Sequence, residues 1–189
     1  MSLLILLTLL TLLTPTTSIN YNCQPNTGTF TLDASCATDA TINVNNQLSI
    51  IGSTTSVYSI SGGKDHQIFD IGKGDTLILK DLELKNGYAK ETGKIGGAIR
   101  MAFNGIGDFT FVVFSNNFAD SGGALAMSND ANAKVVGCRF EKNACDTQGN
   151  DVYVASATAA VKLGAFEIQN LKQKINGIIC FFSFKIIIC

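Results

Sequence analysis

Short apolar runs separated by turn residues fill the first half of the chain after residue 40. The runs span residues 41–44, 48–51, 57–60, 68–71 and 77–79. Asparagine and glycine stand between them, and both residues favour tight turns. Connections of a few residues are too short for the helical crossovers of an α/β sheet. The pattern therefore predicts an all-β protein with no helix between residues 20 and 166.

From residue 81 a longer unit recurs. Phe114 and Phe140 lie 26 residues apart, as do Gly96 and Gly122, and Gly149 follows Gly122 by 27 residues. Each copy keeps an apolar residue, a turn residue and a small-residue pair in the same order. A repeat of this length predicts the stacked coils of a solenoid, because one copy alone cannot bury its apolar face.

The apolar position of the repeat should form a row inside the solenoid. Its residues are Leu84, Phe114, Phe140 and Phe166. The position three residues later is occupied by Gly87, Asn117 and Asn143. Because Gly and Asn tolerate the left-handed backbone, we expect a turn with positive φ there. We also expect the two asparagines to exchange amide hydrogen bonds as a ladder.

A second turn with positive φ is expected where the small-residue pair recurs. The pairs begin at Gly96, Gly122 and Gly149, and each precedes an apolar residue that can open the next strand. Both turns and both rows favour successive coils in register.

Two motifs carry a resemblance to a known family. Gly-Gly-Ala-Ile/Leu occupies 96–99 and 122–125, and Phe-x-x-Asn occupies 114–117 and 140–143. They resemble the repeats of chlamydial polymorphic outer membrane proteins and, more broadly, the parallel β-helix repeats of pectin-lyase-like proteins and adhesins. The resemblance covers about 41–154. It implies a right-handed, single-stranded parallel β-helix, for which we expect about five or six coils.

Length and charge narrow the range of functions. A chain of 189 residues, 46% of them hydrophobic, suffices for one domain with a real core. Its 14 basic and 15 acidic residues give a formal charge of −1, and the basic residues form no stripe. Nucleic acid is therefore not expected as a partner, since phosphate neutralisation requires clustered Lys and Arg.

The N-terminal segment predicts export. Residues 3–13 are an uninterrupted run of Leu, Ile and Thr, too short to span a bilayer, and small residues follow at 16–18. We interpret 1–18 as a secretory signal peptide, with an uncleaved anchor as the alternative. The protein is thus expected to be secreted or displayed at the cell surface.

All six cysteines follow the expected cleavage site and would enter an oxidising compartment. Cys23 and Cys36 bracket a short polar loop and are expected to form a disulfide. Cys138 and Cys145 fall in one repeat and could be bridged or merely buried. The spacing of the cysteines predicts no metal site.

The predicted organisation after the signal peptide has three parts. Residues 19–40 form an irregular N-terminal cap, 41–170 the parallel β-helix, and 171–189 a hydrophobic tail. The tail could be a last strand, a cap over the final coil or an artefact of a truncated gene model. Any membrane contact would be made through this tail, although Lys185 would be costly inside a bilayer.

Candidate catalytic groups are few. Arg100 and Arg139 are the arginines that a lyase could use as base, but strand alternation places both outward. Asp120 and Asp146 are expected at equivalent turn positions one coil apart, as solvated caps or as a shallow cation site. The single histidine, His66, has no nucleophile beside it. We therefore predict no catalytic, cofactor-binding or metal-binding residue.

The sequence favours a non-catalytic extracellular or cell-surface β-helix module, adhesin-like or structural, that binds glycans or other surface proteins. One alternative is a polysaccharide lyase or glycoside hydrolase of pectin-lyase-like fold. The other is the N-terminal fragment of a larger surface protein of the polymorphic outer membrane type.

Overall fold

The computed structural model describes residues 21–128, 130–155 and 160–163, and every regular element in these ranges is a β-strand. The strands are β1 (Tyr21–Asn22), β2 (Gly28–Thr31), β3 (Cys36–Ala37), β4 (Ile42–Asn43), β5 (Gln47–Ile51), β6 (Ser59–Ser61), β7 (Phe69–Ile71), β8 (Thr76–Lys80), β9 (Glu83–Lys85), β10 (Tyr88–Ala89), β11 (Ile99–Met101), β12 (Ile106–Thr110), β13 (Val113–Ser115), β14 (Phe118–Ser121), β15 (Leu125–Met127), β16 (Asn132–Val136), β17 (Arg139–Glu141), β18 (Ala144–Gln148), β19 (Val152–Val154) and β20 (Ala160–Leu163).

These strands form four parallel sheets. Sheet 1 has the order β1-β3-β6-β9-β13-β17, sheet 2 the order β2-β5-β8-β12-β16-β20, sheet 3 the order β4-β7-β11-β15-β19, and sheet 4 the order β10-β14-β18. The chain passes through sheets 2, 1, 4 and 3 and then returns to sheet 2 one strand further along. The predicted all-β parallel solenoid is thus confirmed.

The number of turns is smaller than expected. Three turns have a strand in all four sheets, and the two turns before them have no strand in sheet 4. Together the described residues make about four turns, whereas five or six were predicted. The difference arises because the first two turns are partial: neither has a strand in sheet 4, and the first has two-residue strands at 36–37 and 42–43.

The interior row is confirmed as far as the structure describes it. Leu84, Phe114 and Phe140 are aligned partners in sheet 1, and Ile60 precedes them in the same row. The rings of Phe114 and Phe140 are stacked, with centroids 4.9 Å apart. Phe166 lies outside the described residues. Stacked aromatic rings between parallel strands favour the register that the repeat predicts.

The first predicted turn is displaced by one residue. Positive φ was expected at the positions of Gly87, Asn117 and Asn143. The left-handed residues are instead Asn86, Asn116 and Lys142, with φ of 54°, 52° and 55°. The asparagines at the predicted positions, Asn117 and Asn143, are buried, and the side-chain amide of Asn117 makes hydrogen bonds to the turns on either side. Asparagine therefore occupies this position for its inward-facing amide and not for a left-handed backbone. The second predicted turn is confirmed, with φ of 74° at Gly96, 66° at Gly122 and 69° at Gly149.

The segment expected to be an irregular cap contains strands. Within the predicted cap, 19–40, β2 pairs with β5 and β3 pairs with β6 in the same parallel sense as the later turns. Its predicted disulfide is present, joining Cys23 to Cys36 with the two Cα atoms 5.8 Å apart. The disulfide indicates a non-reducing environment. The predicted signal peptide, 1–18, and tail, 171–189, lie outside the described residues.

Candidate functional site

The outer face of sheet 4 carries a pair of aromatic rings. Tyr88, Phe118 and Ala144 are aligned partners on β10, β14 and β18. The rings of Tyr88 and Phe118 are stacked, with centroids 5.4 Å apart and an interplanar angle of 26°, and both side chains are partly exposed. Ala144 has only a methyl group, so the face of Phe118 turned toward it has no ring beside it.

Strand alternation and backbone hydrogen bonds hold this pair in place. Ala89 and Ala119, the next residue of each strand, are buried, and alternation therefore turns Tyr88 and Phe118 outward. The amide of Phe118 donates to the carbonyl oxygen of Gly87 at 2.9 Å, and the amide of Tyr88 donates to that of His66 at 2.9 Å. The two rings therefore stand on backbone fixed by its neighbours in the stack.

A groove of about 290 Å³ runs along the start of sheet 4, beside the rings. Its lining residues are Lys64, Gly87, Tyr88, Asn116, Asn117, Phe118, Lys142 and Ala144. Lys64, Asn116 and Lys142 are exposed, and all three have positive φ. The groove thus combines aromatic rings with amide and ammonium donors at its rim.

The two lysines of the groove differ from the paired cations of the surface. The ion pairs within the described ranges are Lys80–Asp81, Lys85–Glu83, Lys94–Glu91, Arg100–Asp70, Lys134–Asp108 and Arg139–Glu141. Lys64 and Lys142 take part in none of them. Their ammonium groups are therefore available to an external anion.

An asparagine ladder lies beneath the groove, and its member Asn117 lines the groove. Asn117 and Asn143 are 1% and 8% exposed, and the Nδ2 of Asn117 donates to the Oδ1 of Asn143 at 3.0 Å. The Oδ1 of Asn117 accepts from the amide of Gly87 at 2.8 Å, and its Nδ2 also donates to the carbonyl oxygen of Leu84 at 3.1 Å. The predicted ladder is confirmed, and it satisfies buried backbone groups of the preceding turn.

Asp151 closes the ladder at its far end. The Nδ2 of Asn143 donates to the Oδ1 of Asp151 at 3.0 Å. Burial raises the pKa of this carboxyl above its ordinary value of 3.8, and the hydrogen bond from Asn143 opposes the rise. The folded state therefore favours the protonated form more than the unfolded chain does.

Asp151→Asn should weaken the dependence of stability on pH. With a raised folded-state pKa, the stabilisation from Asp151 is fully present below about pH 4 and is lost as pH rises through the folded-state pKa. An asparagine can accept the same hydrogen bond without a charge. Urea midpoints at about pH 4 and about pH 7 should differ less in the variant than in the wild type.

Asp146→Asn provides the control, because Asp146 is an exposed carboxylate on the neighbouring strand. It should leave the difference between the two midpoints as in the wild type. If the urea midpoint of Asp151→Asn falls between the two pH values by as much as the wild-type midpoint does, Asp151 does not cause the pH dependence of stability.

The residues considered as catalytic candidates are spread over the surface. Arg100 is exposed, and its Nη2 lies 2.7 Å from the Oδ2 of Asp70. Arg139 is exposed, and its Nε lies 3.2 Å from the Oε1 of Glu141. The outward orientation predicted for both arginines is confirmed. The Nε2 of His66 lies 2.7 Å from the Oγ1 of Thr38, in a contact that links two turns.

The two aspartates considered for a cation site lie on strands. Asp120 belongs to β14 and Asp146 to β18, so their placement in turns was wrong. The Oδ2 of Asp120 accepts from the amide of Gly93 at 3.2 Å. No cluster of three or more potential metal-ligating side chains occurs in the part of the chain that the structure describes.

Cys138 and Cys145 do not form a disulfide with each other. Cys138 is buried, and burial raises the pKa of its thiol to about 11. A thiol with so high a pKa stays protonated at neutral pH and is a poor nucleophile. The sequence left open whether Cys138 and Cys145 are bridged or merely buried, and Cys138 is buried as a free thiol.

The aromatic pair was not identified from the sequence. Tyr88 and Phe118 are 30 residues apart rather than 26, because the loop after β10 is longer than its counterpart in the next turn. The sequence did contain a signal for the pair, because each ring directly follows the repeat position that Gly87 and Asn117 share. Aligning the copies on that position would have paired the rings.

Comparison with known proteins adds no family. No protein-family model, curated protein or solved structure matches the chain. Of the resemblance drawn from the motifs, the parallel solenoid is therefore confirmed by the structure, and the family is not. Over the residues with described positions, no helix is long and apolar enough to cross a membrane.

Proposed function

We propose that the protein is a non-catalytic β-solenoid module, secreted or displayed at the cell surface, that binds saccharides on the outer face of sheet 4. The observation that carries the proposal is the stacked pair Tyr88–Phe118 with an open ring face above Ala144. The flat face of a pyranose presents C–H bonds, which pack on an aromatic ring by dispersion and by burial of apolar surface.

The rest of the groove supports the same ligand class. A saccharide presents hydroxyl groups around its ring, and these need polar partners when the ring is desolvated. Asn116 and the two lysines supply donors at the rim of the groove. The ladder beneath Phe118 keeps the floor rigid, so that little conformational freedom is lost when a ligand binds.

The disulfide supports export. Cys23–Cys36 closes the first turn, and such bonds persist in secreted and cell-surface proteins. The enzyme alternative gains no comparable support, because Arg100 and Arg139 are each held by a carboxylate. We therefore favour binding over depolymerisation.

Phe118→Ala should weaken saccharide binding by at least about tenfold, which corresponds to about 1.4 kcal/mol, because the stacking face is lost. The probes are cellohexaose, chitohexaose, and hexasaccharides of heparin and hyaluronan, titrated into the full chain by calorimetry. Phe103→Ala is the matched control, since this ring is 63% exposed and lies in a turn away from sheet 4. It should leave affinity unchanged.

Ala144→Phe tests the same face without removing a ring. The new side chain would extend the stack of Tyr88 and Phe118 and occupy the space proposed for the sugar. We expect a folded protein, verified by circular dichroism, that binds at least about tenfold more weakly. If the wild type binds none of the four oligosaccharides, or if both variants bind as well as the wild type, the proposal is wrong.

A further inference from the structure

Resting on the proposed function, the geometry points to an anionic saccharide as the ligand of this groove, one that carries sulfate or carboxylate groups. Lys64 and Lys142 line the groove, both are exposed, and neither is engaged in an ion pair. Most other described lysines and both arginines are paired with carboxylates. Unpaired cations beside a stacking face complement a ring that bears negative charge.

The two lysines stand at opposite ends of the groove. The amide of Lys64 donates to the carbonyl oxygen of Asn86 at 2.8 Å, which fixes this lysine beside the turn that precedes Tyr88. Lys64 lies in the loop between β6 and β7, and Lys142 lies in the turn between β17 and β18, three strands further along the stack. Three strand spacings amount to about 14 Å, so the ammonium groups can meet charges on more than one sugar residue.

The charge on the other side of the rings orients the ligand. Asp120 and Asp146 come two residues after Phe118 and Ala144, further along β14 and β18 from the groove that the lysines line. Like charges repel, so an anionic saccharide should place its acidic groups toward Lys64 and Lys142 and its hydroxyl groups toward the aspartates. The surface on the two sides of the rings is therefore basic on one side and acidic on the other, and it selects an orientation as well as a charge.

The backbone at both lysines permits a clean substitution. Lys64 and Lys142 have φ of 69° and 55°, and asparagine tolerates this region well. The double variant Lys64→Asn/Lys142→Asn should therefore fold while losing both charges. Lys73→Asn is the matched control, because Lys73 is also exposed, also has positive φ and also lies outside the ion pairs.

The test measures the affinities of the full chain for three hexasaccharides. Heparin hexasaccharide carries sulfate, hyaluronan hexasaccharide carries carboxylate without sulfate, and cellohexaose is neutral. We expect the wild type to bind at least one of the anionic probes at least about tenfold more tightly than cellohexaose, with an affinity that falls as salt is raised. The double variant should lose this preference, and Lys73→Asn should keep it.

The outcomes separate the inference from the proposed function. Preference for heparin identifies sulfate as the recognised group, and equal binding of hyaluronan identifies carboxylate. If cellohexaose binds as tightly as both anionic probes, the anionic ligand is overturned while saccharide binding stands. If the double variant keeps the wild-type preference, recognition of the anion by Lys64 and Lys142 in this groove is overturned. If no probe binds, or if Phe118→Ala leaves binding intact, the proposed site itself is wrong.

Discussion

Asn117→Ala should lower the free energy of unfolding by about 3 kcal/mol. The side chain is 1% exposed and satisfies the amide of Gly87 and the carbonyl oxygen of Leu84 on the preceding turn. Truncation leaves both groups buried without a partner, and each such group costs about 1–3 kcal/mol. Urea unfolding followed by circular dichroism would measure the loss.

Asn132→Ala is the control for this substitution. Asn132 is an exposed asparagine on β16 whose Nδ2 donates to the carbonyl oxygen of Asp130. Water can replace that bond, so the change in stability should stay within about 0.5 kcal/mol. Equal effects of the two substitutions would contradict a structural role for the ladder.

The ladder shows what the repeat could and could not predict. The sequence placed Asn117 and Asn143 at one repeat position, and stacking of equivalent residues then implied an amide ladder. The same Gly/Asn exchange was also read as a left-handed turn, which lies one residue earlier at Asn86, Asn116 and Lys142. Asparagine suits both roles, so its occurrence at a repeat position does not distinguish an inward amide from a turn.

The strands of the first turn were not predicted from the sequence, for a different reason. Strands β2 and β3 are short, and all four residues of β2 are exposed. The period-2 pattern identifies a strand only when one face is buried, and β2 has no buried residue. Strand β2 pairs with β5 through the backbone, and the Cys23–Cys36 disulfide joins the segments on either side of β2.

The candidate site depends on relations between turns that the sequence does not fix. Stacking of Tyr88 on Phe118 requires the four extra residues between them to loop out after β10, so that β10 and β14 remain in register. The groove further depends on Lys64, which comes from a loop three turns before Lys142. Periodicity predicted the sheets, whereas loop lengths decide which outward side chains meet.

Close stacking at the base of the site makes Gly97 a tightly constrained position next to it. A Cβ at Gly97 would contact the carbonyl oxygen of Gly123 and lie 2.7 Å from the amide nitrogen of Phe118. Both are backbone atoms of the following turn. They cannot withdraw without lengthening the hydrogen bonds from Gly97 to Gly122 and from Phe118 to Gly87.

Gly97→Ala should therefore cost at least about 3 kcal/mol of stability, or prevent folding, because separation of two turns would disturb several ladder bonds at once. Gly72→Ala is the matched control: a Cβ there would have its nearest atom, the Oδ2 of Asp75, at 3.8 Å, and the backbone has no positive φ. Its urea midpoint should stay close to that of the wild type. A Gly97→Ala protein as stable as the Gly72→Ala control would show that the turns can separate at this point. That result would also contradict our interpretation that Phe118 stands on a rigid backbone.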